Sequence, residues 1–234
     1  NNLWLDNSGM LHNTGNLTNE EHLENNGTLH NDIGGTLTNN NYLLNEGVLD
    51  NDGLITINGF LENRNILNNH GIIDNNVSLY NLGMLTNTGT LTNNDLFGNN
   101  ATLTNNGDLP NNHQLITNDS FINNDVFDNR AEFTNNGITE NTGTFVNNFL
   151  ATNEGTLRNS GDLTNNGIIE NNGTIENSGN FKIVASTIMN GAGNYTQSDG
   201  LLVVDGAMSQ TNITINGGAI GGRGVISGNV KVNG

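Results

Sequence analysis

One large apolar residue returns at every sixth position from Leu5 to Phe181, carried in a unit that reads Leu-x-Asn-x-Gly-x. The run Leu5, Leu11, Leu17, Leu23, Leu29 is followed, after a short insertion between His30 and Thr36, by Leu37, Leu43, Leu49, Ile55, Leu61, Leu67, Ile73 and onward to Ile169, Ile175 and Phe181; only Thr139 and Ala151 miss the beat. Six residues cannot enclose a core of their own. Units this short bury their apolar residue only by stacking on neighbours, so the periodicity describes a solenoid.

The Gly slot says how many units complete one lap. Sampled at every third unit it reads Glu21, Asn41, Gly59, Val77, Asp95, His113, Ala131, Phe149, Gly167, whereas the other two columns depart from Gly only at Asn65, Ala101, Asp119 and Asp125. A bias that returns every 18 residues predicts three units per coil, with one side unlike the other two. The expected fold is all-β, a single-stranded parallel β-helix (β-solenoid) of triangular cross-section with about 18 residues per coil.

In an extended segment Leu, Asn and Gly share parity, so all three are expected to face the interior. The Asn slot fails only at Ile57 and Thr117. Its members, among them Asn39, Asn45, Asn51, Asn63, Asn69, Asn75, Asn81 and Asn87, are read as a structural stack. Each amide bonds its counterpart one coil away and tolerates left-handed backbone at the corners. Gly is expected to supply φ > 0 or a close backbone approach where the chain turns. Phe127 and Phe145 share a column on adjacent coils, which predicts a thicker core there.

Composition agrees with a thin core: 33% of residues are hydrophobic and 12% charged, with 54 Asn and 31 Gly. That is too little apolar side chain for a compact sphere, yet sufficient for one apolar residue per side of a solenoid. The same composition suits a disordered chain, but disorder would not hold the apolar residues in strict register. The net charge of −17, with only six Lys and Arg, makes nucleic acid and anionic membrane surfaces poor partners. No apolar run is long enough to span a bilayer, and no charged-then-apolar leader precedes Asn1, which predicts a signal removed or a piece of a longer chain. The lack of Cys excludes disulfides and thiolate metal sites.

After Phe181 the six-residue rhythm gives way to longer alternating segments punctuated by Gly, so the chain reads as a regular solenoid over 1–181 and wider, less regular coils over 182–234. The segment Gly193-Asn-Tyr-Thr-Gln-Ser-Asp-Gly-Leu-Leu-Val-Val-Asp-Gly206, followed by the Gly-rich stretch from Gly217 to Val232, resembles the passenger repeats of bacterial autotransporters and large secreted exoproteins. The Asn-x-Gly-x-Leu units are similar to stretches of filamentous haemagglutinin-like adhesins. The resemblance implies a right-handed helix, secretion and display on a bacterial cell surface, and it carries over no catalytic residue. Chain-crossover chirality also favours the right hand, although left-handed triangular helices use coils of the same length.

Four residues stand above one another just before the apolar slot on the irregular side: Trp4, His22, Tyr42 and Phe60. Such an outward strip is a candidate for binding glycan or a host protein surface, or for packing against another copy of the chain. His12 and His30 share a second outer column with Asp50, which would offer two imidazoles and a carboxylate to a divalent metal, without an evident fourth ligand. The Gly-Gly-x-Gly-x-Asp calcium repeat is absent, the Thr-x-Thr pairs lie on different sides and make no flat ice-binding lattice, and the Asn-x-Thr sequons follow from the repeat itself. No cofactor is implied. Catalysis would need basic residues or paired carboxylates gathered in a groove, and Arg64, Arg130, Arg158 and Lys182 are scattered over separate coils.

Both ends of the sequence, Asn1-Asn2-Leu3 and Val230 to Gly234, read as repeat. The chain is therefore expected to continue into further repeats or to stack end to end or side by side with copies of itself. The function this predicts is structural and extracellular, a stalk or fibre unit of an adhesin-like assembly, not an enzyme; the competing class is a binding module using the aromatic strip.

Overall fold

A computed structural model describes residues 4–233; Asn1, Asn2, Leu3 and Gly234 lie outside the described residues. These are all-β, without helix or cis peptide bond. The chain divides into two compact units, residues 1–115 and 116–234, each a parallel β-solenoid. The change of rhythm after Phe181 thus falls inside the second unit.

In the first unit the strands are four residues long, for example Tyr42–Asn45, Val48–Asn51 and Leu54–Ile57, separated by two-residue bends. Each strand pairs with the one a full lap away and not with its chain neighbour: Leu43 faces Leu61, and Leu61 faces Leu79. The lap is 18 residues, as the Gly bias predicts, and 20 where the insertion intervenes. Like therefore sits on like. The column Leu43, Leu61, Leu79 is wholly buried, as are its counterparts on the other two sides, and each such side chain contributes about 1.5–3 kcal/mol by leaving water.

The Asn residues end the strands and face inward with the Leu. Asn51 Nδ2 donates to Asn69 Oδ1 at 2.7 Å, Asn69 to Asn87 at 2.7 Å and Asn87 to Asn105 at 2.8 Å. A second chain runs Asn25, Asn45, Asn63, Asn81 and Asn99. All these amides point the same way, so successive bonds polarise one another. The same nitrogen also reaches main chain: Asn69 Nδ2 lies 2.9 Å from the carbonyl of Thr90, where the next side of the following coil begins. One buried amide thus ties together three strands, and its hydrogen-bonding capacity is met without water.

Two expectations about the corners need correction. The repeat glycines sit in the bends between strands and not on the strand face that carries Leu and Asn. Nor do they or the Asn adopt left-handed backbone; among described residues outside Gly, only Ser186 has positive φ. What the corner glycine provides is close approach. A Cβ on Gly71 would stand 2.2 Å from the carbonyl oxygen of Gly53 one lap earlier, inside contact distance. The exception in this unit is the insertion, where Gly34 at φ 82° closes a turn with Gly35 N–H donating to Asp32 O at 2.8 Å.

The corner leading into the irregular side carries an outer amide chain at the position just before the Gly slot. Asn58, Asn76, Asn94 and Asn112 each donate outward of the core to Asn40, Asn58, Asn76 and Asn94, at 2.8–3.0 Å. Inside this corner Ile57 interrupts the inner chain. Asn39 then turns its Nδ2 to the carbonyls of Asn41 and Phe60.

The second unit repeats the design with larger core residues. Phe121, Phe127, Phe133 and Phe145 form one cluster, with ring centroids 4.7–6.0 Å apart and mostly edge-to-face. The two misses in the apolar slot lie here. Thr139 pairs with Phe121 and Ala151 with Phe133, so each small residue follows a Phe in its own column. The core is compensated in volume and not simply thickened, as close packing requires.

Beyond Phe181 glutamine takes over from asparagine, and the Gln210 side chain reaches past an intervening strand, Ile188–Asn190. Asn177 donates to Gln197 Oε1 at 2.8 Å and Asn171 to Gln210 Oε1 at 2.6 Å. Phe181 pairs with Leu202 and Leu202 with Ile220. The nine-residue strand Ala207–Ile215 pairs with Ile188–Asn190 at its start and Asn194–Gln197 at its end, so one strand serves two sides.

Candidate interaction surface

An outward face of a four-residue strand offers only its first and third side chains, because the second and fourth are the buried Leu and Asn. On the irregular side of the first unit the first column holds Trp4, His22, Tyr42 and Phe60, brought into register by parallel pairing. His22, Tyr42 and Phe60 stack, with centroids 5.0 Å and 5.4 Å apart, and Trp4 meets His22 tilted by 45° at 4.3 Å. Trp4 at the head is 66% exposed; the others are half-buried.

The ladder has a fifth rung that the column does not contain. Ser78 pairs with Phe60 and is too small to continue the stack, and Tyr80, two residues on, lays its ring 5.1 Å from that of Phe60. Gly98, one lap beyond Tyr80, makes room: a Cβ there would stand 2.9 Å from the Tyr80 ring carbons. The signal in the sequence was Gly98, which stands in an outward strand position and not in a Gly slot.

The third column on the same face reads Asp6, Glu24, the buried Leu44, Glu62 and then Tyr80, so three of its five residues are acidic. The Tyr42 hydroxyl donates to Glu62 Oε2 at 3.0 Å. Burial and then that carboxylate hold the Tyr42 phenol above its ordinary pKa. Arg64 closes the far side, with Nε 2.5 Å from Glu62 Oε1 and a terminal nitrogen 2.9 Å from Glu46 Oε1.

His12 and His30 also stack, with centroids 5.5 Å apart. Asp50 pairs with His30 in register, but its carboxylate accepts from Asn68 Nδ2 at 2.7 Å. The carboxylates beside the imidazoles are those of Asp32, from the insertion, and Asp52, each about 3 Å from His30 Nε2. Among the described residues no group of three or more His, Cys, Asp and Glu is arranged to hold a metal ion.

The cations named from the sequence stand apart. Arg130 pairs with Asp128, and Arg158 with Glu140 and Glu176 along an open groove of about 300 Å³ edged by Ser160, Ser178 and Ser198. No helix among the described residues is long and apolar enough to cross a membrane. Compared with known proteins, the chain matches no family model, no curated protein and no solved structure.

Proposed function

We propose that this chain is a structural element of an extracellular bacterial surface assembly, a stalk or fibre unit of adhesin type, with no catalytic role. The observation that carries the reading is the unbroken chain of buried amides from Asn51 to Asn105. It spends the most demanding polar groups in the molecule on holding successive laps together. Every lap repeats the contacts of the last, which suits bearing load along the coil axis and leaves partner copies or further repeats as the natural neighbours. The net charge of −17 keeps the sides of such elements apart at low salt while axial contacts form. Negative-stain microscopy and light scattering of the purified protein test this: filaments of coil-width diameter support it, and a monodisperse monomer at all concentrations would count against self-assembly.

A second reading, an adhesin module, is favoured by the ring ladder, because five aromatic rings gathered along one outward face are surface that a purely structural element does not need. Trp4 is the sole tryptophan, so its fluorescence reports any occupant directly.

A further inference from the structure

We infer that the occupant of the ladder is a cationic extended polypeptide, rich in Arg or Lys, and not a sugar; the inference rests on the adhesin-module reading above. Sugars stack on aromatic faces, and here the faces are taken. From His22 through Tyr42 and Phe60 to Tyr80, successive rings lie at interplanar angles of 16–28°, each covering the next. What remains to an incoming partner along the ladder is ring edge.

Running beside those edges on the same face are the carboxylates of Asp6 and Glu24 and, beyond the buried Leu44, of Glu62. Two parallel tracks, one apolar and one anionic, match the two parts of a Lys or Arg side chain, whose stem covers apolar surface while its head seeks a carboxylate. The protein already seats one such group. Arg64 spans Glu46 and Glu62 at the border of the ladder, beside the carboxylate that Tyr42 bonds. The fork of a guanidinium suits such paired carboxylates, and the overall negative charge steers cations toward the face while repelling acidic glycans and nucleic acids.

The test follows Trp4 fluorescence in the full chain during titration with a deca-arginine peptide, with deca-glutamate and with cellohexaose, at low and moderate salt. Deca-arginine should give a saturable shift that Glu24→Gln/Glu62→Gln weakens about tenfold. Arg64→Gln, which removes the guanidinium from the Glu46 and Glu62 carboxylates, should tighten it about threefold. The control pair Glu154→Gln/Glu170→Gln, equal in charge and in the second unit, should change it less than twofold. Equal loss in both pairs would mean diffuse attraction to an acidic protein and would overturn the inference. A shift with cellohexaose but not deca-arginine overturns it while leaving the ladder a binding site; no shift with any probe removes both. Thermal unfolding of each variant establishes that the fold is kept.

Discussion

Ile57 leaves Asn75, one lap further along the same column, without a hydrogen-bond donor for its buried Oδ1. Everywhere else in the inner chains of the first unit's later laps that oxygen accepts from the Asn before it, as Asn93 does from Asn75 at 2.7 Å. Ile57 fills the space but supplies no N–H.

Ile57→Asn should therefore stabilise the protein. The new amide would accept from Asn39 and donate to Asn75, relieving an orphaned acceptor whose burial costs about 1–3 kcal/mol. Loss of the Ile side chain offsets part of this, so the expected net gain is about 1 kcal/mol, read as a higher urea midpoint. A lower midpoint would show that side-chain volume, and not the amide chain, governs this corner.

Glycine should matter by location and not by slot. Gly71→Ala places its Cβ 2.2 Å from Gly53 O and should cost more than about 2 kcal/mol or separate the two laps. Gly15→Ala, in the first described lap and so with no earlier strand against it, meets no atom within 4 Å and in this chain should fall within about 0.5 kcal/mol of the parent. Calorimetry of the two variants side by side distinguishes a packing requirement from a general cost of replacing glycine.

The Phe cluster makes opposite predictions for its two small neighbours. Thr139 Oγ1 is buried without a partner, so Thr139→Val, equal in shape, should stabilise by about 1 kcal/mol. Ala151→Leu restores the repeat consensus yet pushes against Phe133, and should destabilise by about 1–3 kcal/mol. Were Ala151→Leu to raise the melting temperature, the volume compensation described above would be wrong.

Alkaline pH should weaken the fold. Burial raises the Tyr195 phenol well above its ordinary pKa, and Tyr42 is raised by burial and Glu62. A raised folded-state pKa means that the native state holds its proton more tightly than the unfolded chain. The resulting stability is complete below about pH 10, the unfolded value, and declines as pH rises toward the folded one. Urea midpoints at pH 8, 10 and 11 should fall in that order. Tyr195→Phe, which also gives up the hydroxyl's bond to Gln197, should start lower at pH 8 and show a shallower decline.

The lap length, the three sides and the inward Leu and Asn were legible because a solenoid's contacts are between residues a fixed number apart. Periodicity in the chain is then periodicity in space. Tyr80 was not legible as the fifth rung, since its column differs from that of Phe60 and only the small size of Ser78 and Gly98 lets the ring lean across. Asp32 escaped for a related reason: it lies in the insertion, where counting in sixes stops, and the turn at Gly34 swings it beside His30. The ladder's covered ring faces, on which the choice of ligand turns, depend on side-chain tilt that no column assignment contains.

By itself the sequence determined which residues overlie one another, because backbone pairing in a regular coil transmits a six-residue rhythm without alteration. Tertiary structure alone decided what those overlying residues do. Whether glycine is there for a left-handed bend or for contact, whether Asp50 meets an imidazole or an amide, and which way a ring leans are set by distances of a few tenths of an ångström between atoms on neighbouring laps. Short-range repulsion and hydrogen-bond geometry are steep on that scale, and the spacing of residue types along a chain does not resolve it.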